Sequence, residues 1–398
     1  MTERKKLFIA FIVYIVNPLG GMIIDMYVPA LPDIKAFFHT STNLTQWTFT
    51  IAIIGFGLGQ LISGPLSDIY GRRKLILAGV IVQLLLFLAI IFVNSVELFI
   101  VLRALQGFAV ALICIPARAV IKDIYSGEQF MKAMNWVTTT FAMGMIVSPF
   151  LGSLFTFYFG WHSVFWFLFI YVLFSGVLVY FIVPETKTRN KSVSFSKIKN
   201  NYAELFGSKR FILMMLMAGT FSSSLPAFNT IGPFLVQEVL HLSALDYGRI
   251  ALLLGGSWFL GNLTSRLLFD LSKTKKTVGC FFASLVSVAV AIAYLKYGGQ
   301  MNLFVLIAPL VVVIFSAAIL FPIYLGELIS PYGHIAATAN SIVFSVSWFM
   351  SGFLSYLAGM LNVHSVIPFL LLLLANTMFA LVIFVAIQKT LVKKECEG

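Results

Sequence analysis

The sequence predicts an all-α integral membrane protein, and three observations carry this prediction. The 398 residues are 60% hydrophobic and only 11% charged, whereas a soluble domain is usually about 25% charged. The chain has 40 Phe but only 15 Asp plus Glu, so a soluble fold could not hide its apolar surface from water. The apolar residues also form long continuous runs, which excludes the short alternating strands of a membrane β-barrel.

Twelve apolar runs are long enough to cross a bilayer, because a helix needs about 20 residues to span the hydrocarbon core. The backbone must satisfy its own hydrogen bonds there, so each run is predicted to be a helix. No small-residue cleavage site follows the first run, so we interpret it as a span and not as a signal peptide. The predicted spans are 7–31, 45–66, 75–94, 97–120, 131–155, 162–183, 211–236, 247–268, 277–296, 302–325, 335–358 and 364–388.

The distribution of Lys and Arg predicts the orientation, because loops on the cytosolic side carry an excess of these residues. With the N-terminus inside, 21 of the 27 Lys and Arg fall in inner segments, and only Lys35, Arg249 and Lys296 fall in outer ones. Both termini are therefore predicted to be cytosolic. The net charge of +12 is explained by an inner face that meets anionic lipid headgroups, so no nucleic-acid partner is expected.

The longest polar segment divides the predicted spans into two sets of six. It covers residues 184–210 and is rich in Lys, Ser and Asn. We therefore predict an N-terminal six-helix bundle over 1–183, a cytosolic linker over 184–210 and a C-terminal six-helix bundle over 211–398.

Two pairs of related segments indicate that the halves are repeats. "YVPALPDI" at 27–34 is echoed by "IGPFLVQE" at 231–238, and "GPLSDIYGRRK" from Gly64 is echoed more weakly by "GNLTSRLLFDLSK" from Gly261. Both offsets are about 200 residues. Such repeats are typical of secondary transporters, whose substrate site lies between the halves near the bilayer midplane.

The stretch "GPLSDIYGRRK" concentrates charge between spans two and three. A positive-inside loop explains its cations but not Asp68 or Gly71, and an acidic side chain there can pair with a cation or cap a neighbouring helix N-terminus. We expect this contact to form in one conformation and break in the other, as a gate. The stretch resembles the signature loop of the major facilitator superfamily through Gly64, Leu66, Asp68, Gly71, Arg72, Arg73 and Lys74.

Further stretches narrow the resemblance. "RALQGFAVA" in span four is similar to that superfamily's motif there, and "IDMYVPALPDI" and "GWHSVFWFL" resemble the bicyclomycin/chloramphenicol-resistance branch of drug:proton antiporters. The resemblance implies a major facilitator fold of two pseudo-symmetric six-helix bundles in a bacterial inner membrane. "GMIVSPFLGSLF" in span five is similar to the antiporter motif through Gly144, Ser148, Pro149 and Gly152.

Small residues recur every four positions in spans two and five, and this spacing lets helices approach closely. In span five the repeat is Gly144, Ser148 and Gly152, next to a proline that bends the helix. We hypothesise that this seam seals the transporter against proton leak, with ordinary helix packing as the alternative. In span two the repeat is Gly55, Gly59 and Ser63, and it predicts packing only.

Two ionisable residues within spans are candidates for proton coupling, because each costs ~2.5–3.5 kcal/mol to insert. Asp25 and Arg103 both lie about six residues from the outer ends of antiparallel spans, so they share a depth. A carboxylate between the opposing effects of burial and a nearby guanidinium can exchange a proton when water access changes. Gln106, one turn from Arg103, can hold it by a hydrogen bond. The alternative is a static ion pair that only stabilises packing.

The predicted substrate cavity combines a polar face of span one with scattered aromatic residues. Tyr14, Asn17, Gly21 and Asp25 lie on one face of that span. Asn17 stands where some multidrug relatives carry a second carboxylate, which favours a neutral or zwitterionic substrate. The other predicted lining residues, which could instead face lipid or core, are Tyr27, Trp47, Phe228, Asn229, Trp258, Phe344 and Trp348.

The sequence therefore predicts a proton-coupled antiporter that exports small amphipathic compounds or drugs by alternating access. The alternatives are a metabolite exporter, for a sugar, amino acid, nucleoside or siderophore, and a non-transporting receptor. The chain carries no G-x-x-x-x-G-K-[ST] loop, so neither ATP use nor an enzyme is expected. No cofactor or metal is expected, because Cys114, Cys280 and Cys396 lack ligand spacing. The expected partners are a small-molecule substrate, protons and lipid, and the chain is expected to be a monomer.

Overall fold

A computed structural model describes residues 1–186, 195–268, 270–363 and 365–397. Residues 187–194 of the predicted linker lie outside the described residues, and so does the side chain of Cys396. Every regular element in the described part is a helix. The all-α prediction is therefore confirmed.

The chain forms two compact units, the first of which contains Met1–Ser194 together with Ser243–Arg249. In this unit α4 packs along α6, and α5 packs against α6 and α8. Its helices are α1 (Glu3–Val16), α2 (Leu19–Asp25), α3 (Leu31–Phe37), α4 (Thr42–Tyr70), α5 (Arg72–Ile91), α6 (Val96–Ile124), α7 (Gly127–Phe159) and α8 (His162–Ile182).

The second unit contains Phe195–Leu242 and Ile250–Gly398. Here α10 packs along α14, and α12 packs against α13 and α15. A helix within the predicted linker, α9, joins this unit through Leu205, which is fully buried. The helices are α9 (Phe195–Gly207), α10 (Lys209–Phe234), α11 (Ala244–Leu267, whose first turn groups with the first unit), α12 (Lys273–Lys296), α13 (Leu303–Ile329), α14 (Ala336–Gly359) and α15 (Ile367–Glu397).

Eleven helical segments of the described chain are long and apolar enough to cross a membrane. The first of them, Glu3–Phe37, combines α1, α2 and α3. The remaining predicted span corresponds to α11, which has 24 residues but carries Arg249 and Asn262 among several glycines. With α11, the described residues contain twelve helical segments of spanning length, of which α11 is the most polar.

The first span of the first unit is interrupted, and that of the second unit ends in an irregular turn. After α1 the chain passes through Asn17 and Pro18, where proline supplies no backbone N–H to continue the hydrogen-bond ladder. A short 3₁₀ turn, Val28–Ala30, follows α2, and a π-helical turn, Leu235–Val239, follows α10. The segments 27–34 and 231–238, related in sequence, therefore both depart from regular α-helix.

Close helix packing in span two, predicted from small residues, is confirmed. A Cβ added to Gly55 would lie 2.3 Å from the carbonyl oxygen of Ala104, so α4 and α6 touch through their backbones. Ser63 Oγ donates a hydrogen bond to the carbonyl oxygen of Ala111 at 2.8 Å. The seam therefore fixes α4 on α6.

The glycines of the antiporter-like motif in α7 pack against the interrupted first span. A Cβ on Gly144 would lie 2.7 Å from the carbonyl oxygen of Pro18, and one on Gly152 would lie 1.6 Å from that of Met26. Between them the buried hydroxyl of Ser148 makes no hydrogen bond in the described structure. Close helix approach at Gly144 and Gly152 is confirmed, whereas sealing against protons stays a prediction.

Gly152→Ala is expected to lower the melting temperature of the purified protein by several degrees, because a methyl group cannot share space with the Met26 carbonyl. Overpacking of this kind costs about 1–3 kcal/mol or more. The matched control is Gly279→Ala in α12, where an added Cβ meets nothing within 4 Å. Equal melting temperatures of the two variants would contradict the α7 packing described above.

Candidate functional site

Arg103 is the centre of a buried polar site in the first unit. Its side chain is fully buried in α6. Nη1 donates a hydrogen bond to Gln106 Oε1 at 2.7 Å, and Nη2 donates to the carbonyl oxygen of Ile23 at 3.1 Å. The predicted hydrogen bond between Arg103 and Gln106 is therefore confirmed, and the Ile23 carbonyl of the first span supplies a second acceptor.

An aromatic ring covers the guanidinium. Arg103 Cζ lies 3.9 Å from the centroid of the Tyr27 ring, a geometry in which cation–π attraction is substantial when water is excluded. The Tyr27 hydroxyl shares a hydrogen bond of 3.0 Å with Thr48 Oγ1, and its ring packs among Phe99 and Phe165. Tyr27 thus orients Arg103.

Asp25 lies next to this group. It is the last residue of α2 and is 5% exposed. Its carboxylate interacts electrostatically with Arg103 and Tyr27, and with Tyr247 in the segment Ser243–Arg249 of the same unit. Arg103 reaches the backbone of α2 at Ile23, two residues before Asp25; an Asp25–Arg103 pair and its role in proton coupling stay predictions.

A second polar group lies at the break in the first span. Asn17 is fully buried at the end of α1. Its Nδ2 donates to the carbonyl oxygen of Val137 at 2.6 Å, and its Oδ1 accepts a hydrogen bond from Arg118 Nε at 2.9 Å. Tyr14, one turn earlier, is half-buried. Asn17 therefore links α1 to α6 and α7.

The 64–74 stretch forms an ion network at the junction of α4 and α5. Arg72, 8% exposed, pairs through Nη1 with Asp68 Oδ1 at 2.8 Å and through Nε with Asp123 Oδ2 at 3.2 Å. Thr186 Oγ1 donates to the same Asp123 oxygen at 2.7 Å. The predicted pairing of Asp68 with a cation is confirmed, and the network extends to the end of α6.

Glu185 caps the N-terminus of α5, a role that the sequence offered to Asp68. The backbone N–H of Arg72 donates to Glu185 Oε1 at 2.7 Å, and that of Lys74 donates to Oε2 at 3.4 Å. A carboxylate at this position satisfies unpaired N–H groups and complements the helix dipole. Arg73 donates instead to the carbonyl oxygen of Tyr180 at 2.5 Å. The two segments after α4 and α8 are thereby joined.

Gly71→Ala is expected to lower the melting temperature more than Gly160→Ala. Both glycines have positive φ, 97° and 78°, so both substitutions strain the backbone. Only at Gly71 would the new Cβ also meet a carboxylate, 2.5 Å from Glu185 Oε2, whereas nothing lies within 4 Å at Gly160. Thermal unfolding of both variants measures the difference, and equal losses would show that the Glu185 cap contributes nothing.

The second unit contains a counterpart of the Arg72–Asp123 pair. Glu327 near the end of α13 accepts hydrogen bonds from Lys273, the first residue of α12, and from Arg210. Arg72 is likewise the first residue of α5, and Asp123 lies near the end of α6. The two pairs are about 200 residues apart. Each unit therefore links the start of one helix to the end of the next by a cation–carboxylate pair.

The family model of the Major Facilitator Superfamily matches residues 10–356. The chain belongs to this family. Over 299 residues it is 28% identical to the bicyclomycin resistance protein homolog of Haemophilus influenzae, covering 74% of this chain and 73% of the relative. It is 25% identical to multidrug resistance protein D of Escherichia coli over 368 residues, covering 91% of each. The resemblance to the bicyclomycin/chloramphenicol-resistance branch is confirmed by these relatives.

Solved structures show the same major facilitator fold. A bacterial homolog of the human lysosomal transporter Spinster has a TM-score of 0.74 and 14% identity, over 99% of both chains. The D-xylose-proton symporter has a TM-score of 0.73 and 14% identity, over 94% of this chain and 97% of that one. Identity this low supports the fold alone.

Three of the predicted cavity residues lie in the packed core of this major facilitator chain. Asn17, Tyr27 and Phe228 have no exposed surface, and their role in lining a substrate cavity stays a prediction. Phe228 packs against Phe369 with centroids 6.1 Å apart. Asn229, the next residue, is 4% exposed. Tyr27 is also part of the Arg103 site.

The other predicted aromatic residues keep some exposed surface. Trp258 lies 5.8 Å from the Phe321 ring, which lies 6.4 Å from Phe344, and these three form a continuous aromatic row in the second unit. Trp348 is half-buried, and Trp47 is 39% exposed. Their role in lining a substrate cavity stays a prediction.

Sequence reasoning missed four residues that the structure brings to these sites: Tyr247, Asp123, Glu185 and Glu327. The last three are acidic residues at the ends of apolar runs. That position was the one feature of the sequence that could have marked them as candidate partners of a cation or a helix end. Nothing in the local sequence names their partners, which lie far away along the chain. For Tyr247 the only signal was a polar-tipped aromatic residue beside Gly248.

Proposed function

We propose that this major facilitator is a proton-coupled antiporter that exports small amphipathic compounds, including drugs, from the cytosol. The observation that carries the proposal is a pair of buried ionisable groups, Asp25 and Arg103, with Arg103 hydrogen-bonded to the backbone at Ile23, two residues before Asp25. Ionisable groups inside spans mark proton or substrate pathways. The relatives named for bicyclomycin, multidrug and chloramphenicol resistance support drugs as the cargo.

In the proposed cycle Asp25 carries the proton and Arg103 stays charged. A protonated Asp25 no longer attracts the guanidinium, so proton uptake weakens the link between α2 and α6. Gln106, the Ile23 carbonyl and the Tyr27 ring then hold Arg103 in place. Deprotonation restores the attraction. The protonation state of Asp25 thereby sets the relative stability of the two access states, and a proton gradient drives export.

The ion networks act in the proposed cycle as stiffeners of each unit. The Arg72–Asp123 pair joins α5 to the end of α6, and Glu327 joins α13 to α12 and α10. We propose that these ends are cytosolic, as the distribution of Lys and Arg indicates. The Asp68–Arg72 contact has a different role in the proposed cycle: it is the inner gate contact, which breaks and re-forms.

Expression in a bacterial strain that lacks its own drug exporters tests the proposal. We expect growth protection against chloramphenicol or bicyclomycin, and drug uptake into everted vesicles that collapses when a protonophore removes the gradient. Empty vector is the control. Proton-dependent flux of a sugar, amino acid, nucleoside or siderophore without drug protection would support the metabolite exporter instead. Absence of any proton-coupled flux would overturn transport.

A further inference from the structure

Arg118 is a cation within a spanning helix that the proton-coupling site does not use. It lies in α6, six residues before the helix ends at Ile124. Nε donates to Asn17 Oδ1 at 2.9 Å, and Cζ lies 4.6 Å from the centroid of the Phe141 ring. These contacts hold the guanidinium against a neutral amide and an aromatic face.

None of the ion pairs in the described part of the chain includes Arg118. Among the described residues its side chain donates one hydrogen bond, from Nε, and Nη1 and Nη2 donate none. The side chain nevertheless keeps exposed surface. By contrast, Arg72 contacts two carboxylates. A guanidinium inside a span is costly without a counter-charge, so Arg118 is suited to an anionic group that comes from outside the chain.

The fork of Arg118 is oriented before any ligand binds. Asn17 is fully buried, and its Nδ2 is tied to the Val137 carbonyl at 2.6 Å, which turns Oδ1 toward Arg118. With Nε so engaged, Nη1 and Nη2 are left as a pair of planar donors. Such a pair matches the two oxygens of a carboxylate, and the adjacent Phe141 ring offers apolar contact.

We propose that Arg118 binds the carboxylate of the exported compound, with Asn17 as its positioning residue. This inference rests on the proposed function and narrows its substrate class. The cargo is a zwitterionic or anionic amphipathic molecule whose carboxylate meets Arg118 and whose apolar part packs beside Phe141. Asn17 in place of a second carboxylate fits this cargo, because a carboxylate there would neutralise Arg118.

Binding to the purified full-length chain in a neutral detergent tests the proposal with matched ligands. The probes are several fluoroquinolones with a free carboxylate, and the methyl ester of each. We expect Arg118→Gln to weaken binding of the acids by tenfold or more while the esters change by less than threefold. Arg118→Lys keeps the charge and is expected to retain part of the acid preference. Lys132→Gln, an exposed residue paired with Glu128 on α7, is the control.

The proposal is overturned if every acid binds to Arg118→Gln as tightly as to the wild type. Equal loss of acids and esters also overturns it, since that indicates a structural role. Asn17→Ala is expected to reduce the preference for acids over esters, with a smaller effect than Arg118→Gln. Phosphatidylglycerol is added in a further arm. If this lipid displaces the acids through Arg118, the site belongs to a headgroup, and the substrate proposal fails.

The vesicle assay separates this inference from the function on which it rests. Proton-driven export of the esters without any Arg118 dependence for the acids would leave the antiporter intact and remove the carboxylate site. Acid binding through Arg118 without proton-driven export of either form would keep the site and remove the antiporter.

Discussion

Asp25→Asn is expected to abolish proton-driven efflux while the purified protein still binds substrate. Asn keeps the size and polarity of Asp at this 5% exposed position, so the packing around α2 is retained. It cannot take up or release a proton, so the gradient loses its coupling to the conformational change. We expect the gradient-driven rate in vesicles to fall to the level of empty membranes, a loss of about a hundredfold. Shifting a two-state protein from one state to the other takes several kcal/mol of free energy, and without a titratable group at this position the proton gradient cannot supply it.

Two further variants sharpen the Asp25 test. Asp25→Glu keeps a titratable group and is expected to retain measurable proton-driven transport. Asp33→Asn makes the same chemical change at an exposed position of α3 and is expected to behave as the wild type. Normal gradient-driven efflux by Asp25→Asn would show that another group carries the proton.

Arg103→Ala is expected to have the largest effect on both stability and transport. Truncation removes the two hydrogen bonds to Gln106 and Ile23 and the cation beneath the Tyr27 ring. It also leaves the nearby Asp25 carboxylate without its positive neighbour. Removing one partner of a buried charge pair typically costs about 3–5 kcal/mol. We expect no transport in vesicles and a melting temperature clearly below that of the wild type.

Arg103→Lys separates charge from hydrogen-bond geometry. Lys keeps the cation but cannot reproduce the fork of two donors, so part of the transport activity is expected to remain. Arg249→Ala is the matched control, because Arg249 is 65% exposed and pairs with Asp246 on the helix surface, where ion pairs contribute about 0–1 kcal/mol. Equal activity of the Ala and Lys variants at position 103 would mean that the charge of Arg103 has no part in the working cycle.

The class of fold was available from the sequence because a bilayer imposes simple rules on composition. Apolar length determined the helical spans, and the order of polar segments divided them into two halves. Small residues at a four-residue spacing correctly predicted close helix packing. Gly55 brings α4 against α6, and Gly152 brings α7 against the first span at Met26. The Arg103–Gln106 hydrogen bond was predictable too, because residues three apart on one helix lie on the same face.

Only the tertiary structure decided which distant groups meet. Glu185 caps α5 in place of Asp68, and the Tyr27 ring covers the guanidinium of Arg103. Such contacts depend on the rotation and axial shift of each helix, which are set by the summed packing of many apolar side chains. Sequence spacing determines which residues share a face of one helix. Sequence spacing does not determine which helix packs against that face. The hydrogen bond from Arg118 to its neutral partner Asn17 was therefore evident only from the packing of α1 against α6.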